Sequence, residues 1–185
     1  MADTALERGE VTTALAYAAL AVRQSPMDAA AVDLLGEAQL AAGEQDAAFG
    51  TFAIGQQFGW RGAVGQAYQF EQAIAGGNAR RAALHLDALL RLRAGDAALH
   101  SAIDRLLEQD GGHAALAERL SYRPRWRSAV LGGLDGLSRP ALERRAMLVV
   151  EAIEAGAIRC TEARFFVTHA EARGLAIERC DTPNR

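Results

Sequence analysis

Residues 29–52 read AAAVDLLGEAQLAAGEQDAAFGTF, and this stretch decides the fold. Two runs rich in alanine and other helix-forming residues flank Gly43, and neither alternates apolar and polar residues as a strand does. A glycine just past the last turn of a helix takes the left-handed conformation that ends it without a Cβ clash. The stretch therefore predicts a helix over 29–41, a turn at Gly43 and a second helix over 46–58.

The same turn recurs along the chain with a period of 34 residues. A glycine is followed five positions later by an alanine in three copies, and a weaker fourth copy has leucine instead. An alanine there lets the two helices of a hairpin approach closely, and a period of this length is typical of helical repeats. The four pairs are Gly9/Ala14, Gly43/Ala48, Gly77/Ala82 and Gly111/Leu116. The period predicts second helices at 11–23, 46–58 and 79–92, and first helices at 29–41, 63–75 and 96–108.

The pattern resembles the tetratricopeptide repeat, a helix-turn-helix unit of this length. In the second unit Leu35-Gly36 corresponds to the Leu-Gly/Ala pair of the first helix, and Phe52 to the aromatic residue of the second helix. Pro26 closes the first unit, where the family often has a proline. The resemblance covers roughly residues 3–121 and implies an all-α fold, an α-solenoid of three to four hairpins.

The third unit departs from the family pattern. Gln69-Phe70 replaces the Leu-Gly pair and Ala94 replaces the closing proline, so we expect locally different helix packing there. The alternative interpretation is a plain helical bundle in which the Gly/Ala spacing is accidental.

The chain is expected to divide into a repeat array over 1–121 and a C-terminal helical cap over 122–185, because a solenoid must cover its last apolar face. Ser138 as N-cap and Gly156 as the stop residue delimit the longest helix of the cap. Helices are predicted at 113–121, 126–134, 139–155 and 161–173, followed by a frayed tail at 176–185.

Composition limits the possible functions. Half of the residues are hydrophobic but only 6% are aromatic, so the core is expected to consist mainly of alanine and leucine. All twenty basic residues are arginines, which excludes Schiff-base and P-loop chemistry that needs a lysine. The formal net charge is −3, with residues 1–60 acidic and 121–185 mildly basic. This balance offers no strong positive field for nucleic acid or an anionic membrane.

No motif for catalysis, cofactor binding or metal binding is present. The four histidines share no metal-binding spacing, and GxSxG, GxGxxG and Walker motifs are absent. Cys160 and Cys180 form no CxxC motif and are interpreted as ordinary thiols of a cytoplasmic protein. We therefore expect no enzymatic activity, no cofactor and no metal, and, since no apolar run reaches about eighteen residues, no membrane span.

The resemblance implies that the first helices line a concave groove that binds a partner. The groove positions carry acidic and apolar side chains, which suit a basic peptide or an amphipathic helix of another protein. We therefore predict a scaffold, adaptor or co-chaperone-like assembly factor. The predicted partner-binding residues are Asp33, Glu37, Leu40, Glu71, Ile74, Ser101 and Arg105.

The segment Tyr122–Arg127, YRPRWR, suggests an alternative function. Arginines interleaved with aromatic residues occur in proteins that bind single-stranded nucleic acid, so the chain could be a nucleic-acid-associated regulator. The simpler interpretation is that Tyr122 and Trp126 anchor the C-terminal helices while the arginines remain in water. A third hypothesis is an enzyme that uses the acidic groove.

Overall fold

The computed structural model describes residues 1–57, 62–93 and 96–177 of the chain. These residues form ten α-helices and one 3-10 helix, with no strand among them, so the all-α expectation is confirmed for this part of the chain. The predicted end of one helix at residue 58, Ala94 and most of the predicted tail lie outside the described residues. The helices are α1 (Ala2–Glu7), α2 (Val11–Gln24), α3 (Ala29–Ala41), α4 (Gln45–Gln57), α5 (Ala63–Ala75), α6 (Ala79–Leu92), α7 (Ala97–Leu107), α8 (Gly112–Ser121), the 3-10 helix (Arg125–Leu131), α9 (Arg139–Glu154) and α10 (Cys160–Ala172).

The chain divides into two compact units. The N-terminal unit comprises Met1–Glu71 and the C-terminal unit Gln72–Arg185. The division predicted between residues 121 and 122 falls within the C-terminal unit. None of the described helices has both the length and the apolar character that a membrane crossing requires.

In the N-terminal unit α1 packs against α2, α2 against α3, and α3 against α4. The core between α1, α2 and α3 is built from small side chains, with leucines around it. Gly36 of α3 faces Phe52 of α4, and a Cβ at Gly36 would overlap the Phe52 ring. The ring can lie directly on α3 only because Gly36 has no side chain. The core alanines are Ala2, Ala5, Ala14, Ala18 and Ala38.

The turns that follow the 34-residue period share one backbone geometry. Gly9, Gly43 and Gly77 have φ of 72°, 79° and 64°. The Gly43 N–H donates to the Leu40 carbonyl at 3.0 Å, and the Glu44 N–H donates to the Gln39 carbonyl at 2.8 Å. This pair of bonds is the Schellman motif, which satisfies carbonyls left open at a helix end. The same pair of bonds follows α1 and α5.

The fourth copy keeps the left-handed glycine but not the hydrogen bonds. Gly111 has φ of 74° and serves as the N-cap of α8 instead of closing α7, which ends at Leu107. The positions five residues after the glycines are nevertheless equivalent in burial, since all four side chains are fully buried. They are Ala14, Ala48, Ala82 and Leu116.

The C-terminal unit places α9 against α7 and α8, and α10 against α9 and the 3-10 helix. Arg145 of α9 is fully buried and forms an ion pair with Asp104 of α7. It also donates to the carbonyls of His100, at 3.1 Å, and Gly132. This one side chain therefore joins α7, α9 and the loop after the 3-10 helix.

The segment 126–134 differs most from its prediction in this unit, and the limits of the other helices lie within one residue of theirs. The segment predicted as a helix over 126–134 is a 3-10 helix that ends at Leu131, because Gly133 is left-handed with φ of 63° and turns the chain. The last helix begins at Cys160, one residue before the predicted start, with Arg159 as its N-cap. Glu162 reaches back to the Arg159 N–H at 2.9 Å, which fixes that start.

The interpretation of Cys160 as an ordinary thiol is wrong, because Cys160 is disulfide-bonded. The other cysteine of the chain, Cys180, lies outside the described residues. A spacing rule tests for metal and redox motifs but carries no information about which distant thiols the fold brings together.

Candidate functional site

Asp33, the first predicted partner-binding residue, is engaged within the N-terminal unit. Its carboxylate accepts a hydrogen bond from the Gly65 N–H at 3.3 Å, in the first turn of α5. A Cβ at Gly62 would overlap the same carboxylate. Burial raises the pKa of Asp33, and the backbone N–H bonds from Gly65 and Val64 oppose that rise. Asp33 therefore caps α5, whose first N–H groups have no partner inside the helix.

Glu37 and Leu40 continue the same side of α3 and are both half-buried. Burial raises the pKa of Glu37, and the neighbouring charges of Asp33 and Asp3 raise it further. Asp3 belongs to α1, so carboxylates from two helices lie close together. No described cation pairs with Glu37. Asp33, Glu37 and Leu40, with Asp3 beside them, are called the acidic face of α3 below. This face combines acidic and apolar side chains.

Glu71 ends the N-terminal unit and is exposed. In the C-terminal unit Ile74 and Arg105 are half-buried and Ser101 is exposed. The structure thus brings Asp33, Glu37 and Leu40 together on one helix. It places the last three predicted residues on α5 and α7 of the other unit.

The side of α7 that carries acidic residues is held by arginines of α9. Glu108 accepts a hydrogen bond from Arg144 at 2.7 Å, and Asp104 is paired with Arg145. Sequence reasoning did not identify Arg145, because nothing in its local spacing separates a buried arginine from the exposed ones beside it. Asp104 and Glu108 are therefore already paired with arginines of the same unit.

The Tyr122–Arg127 segment separates into buried and exposed parts. Trp126 is 1% exposed, and its Nε1 donates to Asp87 of α6 at 2.6 Å. Tyr122 is 66% exposed, with the Arg119 guanidinium 5.3 Å from its ring centre. Arg125 is exposed, and no described residue pairs with it. The anchoring role fits Trp126 but does not fit Tyr122.

Arg127 is tied to the start of α10. Its Nη2 donates to Glu162 at 2.8 Å, and Arg159 donates to the same carboxylate oxygen at 3.2 Å. Hydrogen bonds from Arg159 and then Arg127 lower the pKa of Glu162 to about 2. The carboxylate is therefore charged at neutral pH. Glu162 was missed at the sequence level, since Arg127 and Glu162 stand 35 positions apart.

Histidines and metal ligands offer no further site in the described ranges. His85 is 1% exposed on α6, and burial, aided by the charge of Arg81, lowers its pKa to about 4. Burial also lowers the pKa of His100. No cluster of three or more histidine, cysteine or acidic side chains that could hold a metal ion occurs in the part of the chain that the structure describes.

No protein-family model, curated protein or solved structure matches this chain.

Proposed function

We propose that this chain is a non-catalytic scaffold or adaptor with tetratricopeptide-like hairpins, which binds a basic peptide or amphipathic helix of a partner protein. The observation that carries the proposal is the acidic face of α3, where Glu37 lies among other carboxylates without a described cation. Burial is the main cause of the raised pKa of Glu37, and repulsion by Asp33 and Asp3 adds to it; a cationic partner would relieve that repulsion.

The neighbouring Leu40 supplies the apolar part of the proposed contact. It stands three positions after Glu37, about one helical turn away, and is half-buried, so part of its side chain is accessible. Amphipathic partner helices bind through such pairs of apolar anchors and charged rims. Asp33 supports this contact by capping α5, and Glu71 is a further proposed partner-binding residue of the same unit. In the C-terminal unit the proposed partner-binding residues are Ile74, Ser101 and Arg105.

The alternative of a nucleic-acid-associated regulator has less support. Trp126 is fully enclosed and bonded to Asp87, so it offers no ring for stacking on a base. The enzyme alternative takes its acid and its base from the acidic groove. Of those carboxylates, Asp33 lines the small cavity beside α5, and it is used as a cap.

The test uses a partner captured from the native host and four variants. Glu37→Arg should slow association and weaken binding more at low than at high salt, because rim charges act mainly by steering. Leu40→Ala should instead raise the dissociation rate, because apolar anchors carry most interface energy. Glu44→Arg, an equal charge change at an exposed turn position, is the matched control. If Glu37→Arg and Leu40→Ala bind like the wild type while Arg125→Ala/Arg127→Ala loses the partner, the proposal is wrong.

A further inference from the structure

A cavity of about 400 Å³ opens between the 3-10 helix and the start of α10 in the C-terminal unit. One part of its wall is cationic and hydroxylic, and another part is aliphatic. The lining residues are Arg125, Arg127, Ser128, Leu131, Ile158 and Glu162. Its volume lies within the range of small-ligand sites, about 300–1,000 Å³.

The charges around this cavity do not cancel. Arg127 and Arg159 share the single carboxylate of Glu162, and Arg125 pairs with no described residue. The lining therefore carries two guanidinium groups, those of Arg125 and Arg127, and one carboxylate, which leaves a formal charge of about +1. The hydrogen bond to Glu162 orients the Arg127 guanidinium before any ligand arrives, while Arg159 binds the same carboxylate without lining the cavity.

The backbone that presents Arg125 is strained. Arg123 has φ of 50°, which makes it the one non-glycine residue with positive φ in the described ranges. Its Nη2 lies beside Gly156, just past the end of α9, where it would be 3.3 Å from a Cβ on that glycine. A left-handed arginine is sterically costly, and such strain concentrates at functional sites. Here it turns the chain from α8 into the 3-10 helix and brings Arg125 to the cavity.

We propose that this cavity binds a phosphate monoester carried by a small ligand with an apolar portion. A phosphate monoester carries a charge of about −1.5 to −2 at neutral pH, which is opposite in sign to the net charge of the cavity wall. Guanidinium groups donate in a fixed fork that fits phosphate oxygens, and the Ser128 hydroxyl can supply a further donor. Leu131 and Ile158 offer a surface for the apolar portion of the ligand.

The observations favour a small ligand over a nucleic-acid strand. Arg125 and Arg127 line one small cavity, whereas a strand needs a basic groove several nucleotides long with aromatic platforms. The aromatic ring at the centre of the segment, Trp126, is buried. This site lies on the C-terminal unit and is independent of the proposed partner binding at α3.

Calorimetric titration with phenyl phosphate and with inorganic phosphate tests the proposal. The wild type should bind phenyl phosphate with a saturable isotherm and more tightly than inorganic phosphate. Arg125→Ala should weaken binding of phenyl phosphate by about tenfold or more, because a charge-assisted hydrogen bond is lost. Ser128→Ala should weaken it less.

Arg164→Ala is the matched control, since Arg164 is an exposed arginine of α10 that does not line the cavity. It should change the affinity by less than about twofold, because it removes the same charge at a distance. Both arginines are exposed, so thermal melts of the two variants should match the wild type. Absence of saturable binding, an equal loss in both variants, or binding of a single-stranded oligonucleotide but not of phenyl phosphate would each overturn the proposal.

Discussion

Arg145 is a buried charged side chain that connects three elements of the C-terminal unit. It is fully buried, and it satisfies Asp104 together with the carbonyls of His100 and Gly132. Removing one partner of a buried pair leaves the other charge without compensation. Arg145→Met should therefore lower the free energy of unfolding by about 3–5 kcal/mol, measured by urea denaturation.

The adjacent arginine provides the control for this prediction. The side chain of Arg144 is 29% exposed, and that of its partner Glu108 is 55% exposed. Arg144→Met should therefore cost no more than about 1 kcal/mol. The double variant Arg145→Met/Asp104→Leu should recover part of the loss, because no unpaired charge remains. Similar losses for Arg144→Met and Arg145→Met would show that the pairing of Arg145 has been misassigned.

His85 makes stability depend on pH. Burial first, and the charge of Arg81 second, lower its pKa from 6.5 to about 4 in the folded chain. As the pH falls below about 6.5 the unfolded chain takes up this proton, whereas the folded chain does so only near pH 4. The contribution of neutral His85 to the free energy of unfolding is therefore complete above about pH 6.5. It is lost progressively as the pH falls to 4, and the total loss is on the order of 3 kcal/mol.

Urea unfolding of the wild type and His85→Gln between pH 4.5 and 7.5 measures this contribution. The difference in free energy of unfolding between the two proteins should shrink as the pH falls, whatever the baseline cost of the substitution. Carboxylates that titrate in this range affect both proteins alike and cancel in the difference. A constant difference across the range would contradict a buried neutral His85.

At the scale of helices and turns, two glycines near each other should respond oppositely to alanine. Gly43 has φ of 79° in the turn between α3 and α4, whereas Gly50 lies inside α4. A Cβ at either position would meet no atom within 4 Å, so only the backbone conformation differs. Gly43→Ala should destabilise the chain by about 1–2 kcal/mol. Gly50→Ala should stabilise it by about 0.5–1 kcal/mol.

Thermal or chemical unfolding of these two variants tests the turn at Gly43 directly. Equal signs for the two substitutions would mean that the left-handed turn at Gly43 is not needed. The same comparison at Gly9 and Gly77, which have the same backbone geometry, would show how far the turns are equivalent.

At the scale of the whole molecule, the state of Cys160 bears on where the protein works. A disulfide-bonded Cys160 should resist alkylation in the native protein and react only after reduction, which peptide mass mapping can measure. Because disulfides persist mainly in oxidising compartments, the expected cytoplasmic location depends on the same result. Rapid trapping of thiols in intact host cells shows whether Cys160 is disulfide-bonded or a free thiol there. Full alkylation of Cys160 without reductant would contradict the disulfide.

Charge is also distributed unevenly over the molecule. Residues 1–71 carry nine acidic residues and three arginines, a formal charge of −6, whereas residues 72–185 carry fourteen acidic residues and seventeen arginines, +3. The ligand proposed for each unit has a charge opposite to the net charge of that unit. A basic partner is proposed for the acidic N-terminal unit, and a phosphate ligand for the basic C-terminal unit.

The sequence by itself determined the helical class, the turns and most helix limits. These depend on local signals, namely glycine at a left-handed position, small residues five positions later, and caps such as Ser138, whose side chain accepts from the Ala141 N–H at 3.3 Å. It also predicted the acidic and apolar character of the α3 side through Glu37 and Leu40. Turns, caps and helix limits depend on interactions among a few neighbouring residues, so the sequence alone can predict them.

Only the tertiary structure decided which polar side chains are used by the fold and which remain available. Asp33 meets Gly65 across 32 positions, Trp126 meets Asp87 across 39, and Arg145 meets Asp104 across 41. The burial of each group depends on the helix that packs over it, and so does its hydrogen-bond partner. No local pattern separates Arg145, which is enclosed, from Arg125, which opens onto a cavity, because the difference between them arises from contacts between helices distant in sequence.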